Sequence, residues 1–428
     1  MSYVSTSSEE LQRILQELME KHSQFKTDAI RLDMTRGKPG ADQLDLCEEM
    51  LKAVNCSADC KAESGIDCRN YGILDGIPEA KVLFAELFGI SADQVIVGGN
   101  SSLNMMYDAI CRAYCFGEYN SERPWSREKE IKFLCPAPGY DRHFTICDQF
   151  GIQMIPVPML AEGPDMDMIE SLVAKDASIK GVWSVPKYSN PTGVVYSDEV
   201  VRRFANLKPM AADFRIFWDN AYAVHDLYDE CPELLNLLDE CEKAGNPDMV
   251  YTFTSTSKIS FPGSGVAAMA SGKKNIEYAK KLMNAQSIGP DKLNQLRHVK
   301  MFKDKAAVLE QMKKHATVLR PKFEAVLSIL EQNLGSCEIA TWSRPMGGYF
   351  ISFNAMPGCA KRIFDLCAEA GVALTQVGAT FPYGKDPKDC NIRIAPSFPP
   401  IDELKLAVER FTVCVRIASI EKILADRS

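Results

Sequence analysis

No uninterrupted apolar run approaches the roughly 18 residues that a membrane helix needs, so no membrane span is expected. Basic charge is not in surplus. The 49 Lys and Arg stand against 57 Asp and Glu, a formal net charge of −8. That balance argues against a nucleic-acid partner but leaves room for a local cationic pocket. The stretch Met1 to Glu10 is polar and has no apolar h-region, so no secretory leader is expected. The chain also lacks internal repeats and low-complexity tracts. Cysteine departs from this pattern of scarcity, with 15 residues in a 428-residue chain. That is too sparse for a disulfide scaffold. Cys56–Cys60 and Cys111–Cys115 are CxxxC pairs with no second knuckle nearby, so no metal is expected. Most of the thiols read as small buried hydrophobes, in a reducing cytoplasm.

What is present is the composition of an ordinary soluble protein, 46% hydrophobic and 25% charged, with length enough for two to four domains. Apolar residues at helical spacing predict a first helix over 7–25. Helices are also predicted over 76–90, 101–115, 139–150, 165–175, 197–207 and 231–244. Between them fall short apolar runs at 95–99, 131–135, 153–157, 181–185, 215–219 and 249–253. Strands alternating with helices imply a mostly parallel sheet covered on both faces. From about 273 to 335 the pattern is helical. Strand-like runs return at 348–353, 371–375 and 390–395 beside helices at 358–370 and 401–423, which reads as a smaller α+β domain.

Four loops follow strands of the larger sheet, where ligands of such sheets bind. Gly98-Gly-Asn-Ser-Ser102 enters a helix and could cradle a phosphate on backbone N–H groups, or Ser101 or Ser102 could simply cap that helix. Asn190-Pro-Thr-Gly193 is ordinary turn material by itself. In Trp218-Asp-Asn-Ala-Tyr222, Asp219 could meet a ligand nitrogen and Tyr222 face the same ligand, or Asp219 could be an N-cap. Thr254-Ser-Thr-Ser-Lys258 places a lysine among small hydroxyl residues, suited to imine chemistry if desolvated and to an exposed loop if not.

Taken together, these loops resemble the pyridoxal-phosphate aminotransferases of fold type I, closest to a divergent bacterial branch of the aspartate aminotransferases. The likeness spans roughly residues 30–420. It implies a large domain with a mostly parallel seven-stranded sheet over residues 46–300 and a smaller α+β domain over 301–428. Residues 1–45 would form an arm and part of the small domain. It implies pyridoxal 5'-phosphate as cofactor and a cytoplasmic homodimer with active sites at its interface. By the same resemblance Lys258 carries the cofactor and moves the proton, Asp219 pairs with the ring nitrogen, and Tyr222 and Asn190 bond the ring oxygen. Tyr140 stacks on the ring. Ser101, Ser102, Ser255 and the backbone near Asn100 hold the phosphate, and Tyr71 reaches the phosphate of the second subunit. Arg393 clamps the substrate α-carboxylate, and Gly37 belongs to a segment that closes over it.

Two positions depart from the family pattern. The phosphate arginine past the lysine is missing from Phe261-Pro-Gly-Ser-Gly-Val266, leaving Ser264 as a candidate. No arginine aligns for a substrate side-chain carboxylate, leaving Arg36, Lys38 and Lys292. The expected reaction is ping-pong transfer from an L-amino acid, aspartate foremost, to a 2-oxo acid, 2-oxoglutarate foremost. The alternatives are a C–S lyase, a β-decarboxylase, or a ligand-sensing regulator that keeps the cofactor fold. His143 and His225 are expected to be structural, and Trp342 and Tyr349 to be packing residues.

Overall fold

A computed structural model describes residues 2–28 and 30–428. Its larger sheet has eight strands, in the order Val95–Val97, Ala267–Ser271, Val250–Ser255, Arg215–Asp219, Ile179–Ser184, Lys132–Ala137, Gln153–Leu160 and Gly163–Pro164. The five from Val250–Ser255 to Gln153–Leu160 are mutually parallel. Ala267–Ser271 runs antiparallel to both neighbours. The count exceeds the expected seven because Gly163–Pro164 folds back on Met159 and Leu160 as a two-residue return. Residues 267–271 lack the β-branched signal of a strand. Their Ala-Ala-Met-Ala-Ser sequence is held extended by pairing with Val250–Ser255 along its length.

Helices cover both faces of this sheet, as a buried parallel sheet requires. Five predicted helices form close to their expected limits, as Pro78–Phe88, Ser102–Phe116, Asp141–Gln149, Met166–Val173 and Asp198–Ala205. The helix expected over 231–244 starts only at Leu237. Asn236 sets that start, its side-chain oxygen accepting from the amides of Leu238 and Asp239.

A second body is built on the antiparallel sheet Ala340–Trp342, Ile351–Ala355 and Asn391–Ile394. Of the run at 371–375, only Val372–Ala373 pairs, in parallel with Leu32–Asp33. The helices Ser8–Thr27, Lys305–Leu334 and Ile401–Arg427 complete it, and Leu11, Leu18, Leu330, Phe353 and Phe411 share one core. Among the described residues no helix is long and apolar enough to cross a membrane, and no cluster of side chains could hold a metal. All 15 cysteines are free thiols. The parallel strands end at one edge of the large sheet. The loops at 98–102, 138–141, 185–190, 219–222 and 255–258 therefore gather there, facing the Asn391–Ile394 strand of the second body.

Candidate active site

Asp219 is the last residue of its strand and is 3% exposed. Its Oδ2 lies 3.1 Å from Nε2 of His143, and its Oδ1 is buried with no partner. An unsatisfied buried carboxylate oxygen costs roughly 1–3 kcal/mol or more, so it marks where a ligand N–H belongs. His143 is held against Trp183, rings 4.3 Å apart and 7° from parallel. Trp183 in turn donates from Nε1 to Sγ of Cys147 at 3.1 Å. His143 is thus part of the site. Sequence reasoning took it for a structural histidine because its partner lies 76 residues away.

Lys258 stands on a turn that begins where the strand Val250–Ser255 ends. The turn is closed by Ile259 and Ser260 donating to the Thr256 carbonyl. His298 braces it from below, its Nε2 2.9 Å from Thr256 Oγ1 and 2.8 Å from Ser260 Oγ. The Lys258 amine makes no hydrogen bond or ion pair among the described residues. It lies 5.1 Å from the Tyr222 ring centre and 5.7 Å from that of Tyr349. Burial lowers the amine's pKa, and the nearby Asp219 charge only partly opposes this. Burial also pushes the Tyr222 hydroxyl well above its ordinary value.

Arg393 enters from the Asn391–Ile394 strand and is 8% exposed. Its Nη1 donates to Asp141 Oδ1 at 2.9 Å and to Asn190 Oδ1 at 3.2 Å. Its Nη2 donates to Thr375 Oγ1 at 3.4 Å, and its Nε is buried without a partner. The guanidinium lies 4.9 Å from the centre of the Phe350 ring. The same ring abuts Gly37, where a Cβ would come within 2.4 Å of Phe350 Cζ. Tyr140 and Asn190 line one small cavity with His143 and Trp183.

At the other end, Ser101 is the N-cap of the 15-residue helix Ser102–Phe116 yet makes no side-chain capping bond. Its hydroxyl is therefore available to a ligand. Asn100 meets the lysine turn, its carbonyl accepting from Ser257 Oγ at 3.3 Å, while Ser255 Oγ donates to Ser257 Oγ at 3.0 Å. Ser264 differs. Its hydroxyl donates to Asn294 Oδ1 at 3.1 Å, and Asn294 Nδ2 donates back to the carbonyls of Ser264 and Gly265.

The outer residues are less engaged. Tyr71 is 84% exposed. Arg36 and Lys38 are exposed, Lys38 resting 3.8 Å from the centre of the Phe398 ring. Lys292 is buried instead, donating to the Gly72 carbonyl at 2.9 Å.

An unpaired buried carboxylate oxygen, an unpaired desolvated amine and an uncapped hydroxyl at a helix start fit a phosphorylated pyridine aldehyde. The family model for aspartate amino-transferase matches residues 6–427. An aspartate aminotransferase of Corynebacterium glutamicum is 45% identical over 424 residues, 98% of each chain. The crystal structure of an aspartate transaminase from Corynebacterium glutamicum superposes with a TM-score of 0.96, at 43% identity and 99% coverage of both chains. An α-aminoadipate aminotransferase of Thermus thermophilus, at 20% identity, shares the fold with a TM-score of 0.74 over 99% of this chain and 96% of its own. Family, sequence and fold thus converge over nearly the whole length, and the chain belongs to the aspartate aminotransferases, pyridoxal-phosphate enzymes of fold type I.

Proposed function

We propose that the chain moves an amino group from aspartate to 2-oxoglutarate by a ping-pong mechanism. The observation that carries this reading is the juxtaposition of a buried, unpartnered carboxylate oxygen, Asp219 Oδ1, with the Lys258 amine, which lies over the rings of Tyr222 and Tyr349 and whose pKa burial lowers. The choice of aspartate rests on the names of the Corynebacterium relatives.

Pyridoxal 5'-phosphate, when bound, supplies an aldehyde carbon and a ring that accepts electron density from the substrate Cα. Asp219 Oδ1, buried without a partner, would accept a hydrogen bond from the ring nitrogen and favour its protonated form. His143, fixed on Trp183, holds the other carboxylate oxygen. Lys258, its pKa lowered by burial, would hold the cofactor through its amine, a nucleophile toward an aldehyde, and is a base when that amine is free. Its Nζ removes the Cα proton and holds it for return, acting as general base and acid in turn. Tyr222 and Asn190 would hold the ring oxygen, and Tyr140 would cover the ring. Ser101, Ser102, Ser255 and the Asn100 backbone receive the phosphate at the helix start. Ser264 supports that loop through Asn294. Arg393 takes the substrate α-carboxylate in the geometry that suits guanidinium.

Arg36 and Lys38 meet the side-chain carboxylate as the Gly37 segment packs on Phe350. Tyr71 reaches the phosphate of a second copy, so the working unit is a homodimer. Its exposure, and that of Ile288 at 64%, supports this. The large domain covers 46–300 and the small domain 301–428, with 1–45 as the arm. A reducing cytoplasm suits the free thiols.

A half-reaction screen tests the reading. The loaded protein is mixed with single amino acids and its visible absorption followed. Rapid bleaching by aspartate and glutamate supports it, and a flat response to both rejects it.

A further inference from the structure

Tyr349 carries no recognisable motif and would pass for core. It is 1% exposed, yet its ring stacks beside that of Tyr222 at 6.1 Å and 26°, and both rings face the Lys258 amine. The ring is pinned from behind. Gln43 Nε2 donates to Tyr349 Oη at 2.8 Å and to His315 Nδ1 at 3.1 Å. Gln43 Oε1 accepts from the Gly40 amide at 3.3 Å. His315 Nε2 lies 3.0 Å from the carbonyl of Ile259, the residue after the lysine. A carbonyl only accepts, so Nε2 carries the proton and Nδ1 accepts from Gln43. Gln43 and His315 are both fully buried. Four chain segments thus meet in one closed network of neutral groups, whose partners satisfy one another.

We propose that Tyr349 is a positioning residue whose ring, locked by Gln43 and His315, forms with Tyr222 the resting place of the free Lys258 amine. This rests on the reading of Lys258 as the reactive amine. Twice in each cycle that amine is free of the cofactor and must wait within reach. A π face attracts the ammonium form without blocking the neutral one by a hydrogen bond.

The other charged groups around the amine act alongside the rings. Asp219 favours the ammonium. His225 lies edge-on to both rings, 5.6 Å from Tyr222 and 5.9 Å from Tyr349, and burial followed by the Lys258 charge keeps it neutral. Lys187 adds a further positive charge beside His225, and Arg393 one beside Tyr222. Burial keeps His315 neutral, although Asp42 lies near it and is itself paired with Lys322 at 2.9 Å.

The test uses the full chain freed of cofactor. Lys258 is labelled with acetic anhydride across a pH series, and its peptide is read by mass spectrometry. Methionine fills the tyrosine volume without a ring face. Tyr349→Met should lower the labelling midpoint by about half to one pH unit, and Tyr349→Phe should leave it within about 0.2. Gln43→Leu, which frees the ring, should fall between these. A wild-type midpoint in Tyr349→Met overturns the proposal, as does a Tyr349→Phe shift equal to that of Tyr349→Met. If Tyr349→Met does not fold, an unchanged midpoint in Gln43→Leu overturns it. Borohydride reduction of the wild-type holoenzyme separately shows whether the cofactor is joined to Lys258. Failure there defeats the functional reading, whereas the midpoints bear on Tyr349 alone.

Discussion

The floor of the site and its rim are built differently. On the floor, Asp219, Tyr222 and Arg393 are buried, and Lys258 sits on a turn braced by His298. Asp219 and Arg393 are held by side chains from distant parts of the same chain, His143 for Asp219 and Asn190 for Arg393. On the rim, Tyr71, Arg36, Lys38 and Asn100 are exposed, and Lys38 has only an aromatic ring beneath its amine. Groups proposed to act on a proton or to clamp the α-carboxylate are preorganised by one chain, where a low dielectric strengthens them. Groups proposed to meet a substrate side chain or a second copy stay in water and pay their ordering cost only on binding.

Substitutions on the floor should therefore cost far more than substitutions on the rim. Lys258→Ala removes the amine proposed to accept and return the proton. Turnover should fall by about 10⁴-fold or more, read as steady-state kcat. A fall no larger than that of Lys38→Ala would erase the distinction. Asp219→Asn keeps the shape but not the charge. A loss of about 10²–10³-fold in kcat is expected, with weaker cofactor retention on dialysis.

The brace under the lysine turn predicts a pH effect that the rim should not share. Burial lowers the His298 pKa to about 4. In the unfolded chain it titrates at the ordinary histidine value of about 6.5. Between these two pH values the unfolded state binds more protons, so this histidine's contribution is fully present above about 6.5 and is lost as pH falls toward 4. The loss is at most on the order of 3 kcal/mol. Urea melts from pH 7 to 4 should show it, and His298→Asn should flatten the slope. An equal slope in the variant would place the acid sensitivity elsewhere.

Asp141 tests the border between the two regions, since its carboxylate, about one-third exposed, occupies Nη1 of Arg393 in the ligand-free site. An incoming carboxylate must share that guanidinium with it. Asp141→Asn keeps an acceptor and removes the competing charge. KM for aspartate should fall about threefold with kcat unchanged, the scale of a partly exposed ion pair. A rise in KM would mean that Asp141 orients the arginine more than it competes.

How much of this was legible in the sequence follows the same division. Asp219, Tyr222, Lys258, Asn190 and Arg393 each sit on a strand end or a turn with a short local signature, and the fold brings them together. His143, Thr375, Gln43 and His315 carry no local mark. Their roles come from contacts such as that between Gln43 and Tyr349, 306 positions apart. Strand Ala267–Ser271 escaped notice for a related reason: its extended form comes from its neighbour, not from its own side chains.

The phosphate end offers the smallest expected effect and the sharpest limit on sequence reasoning. With no arginine past the lysine, Ser264 was the natural substitute, a hydroxyl in a glycine-flanked turn. That hydroxyl is already spent on Asn294, which returns two hydrogen bonds to the turn. The turn packs closely on the Asn100 loop: a Cβ at Gly265 would lie 3.3 Å from the Asn100 carbonyl and 3.2 Å from the Ser257 amide, so these groups would have to give by a few tenths of an ångström. Ser264→Ala deletes one neutral hydrogen bond and leaves both donations from Asn294 in place. Cofactor affinity should then change by no more than about threefold, since one such bond contributes about 0.5–1.5 kcal/mol and only part of it reaches the cradle. Ser101→Ala, which removes the uncapped hydroxyl itself, should weaken binding more. A tenfold loss in Ser264→Ala with none in Ser101→Ala would reverse the order, and would mean that the hydroxyl leaves Asn294 for the phosphate when the cofactor binds.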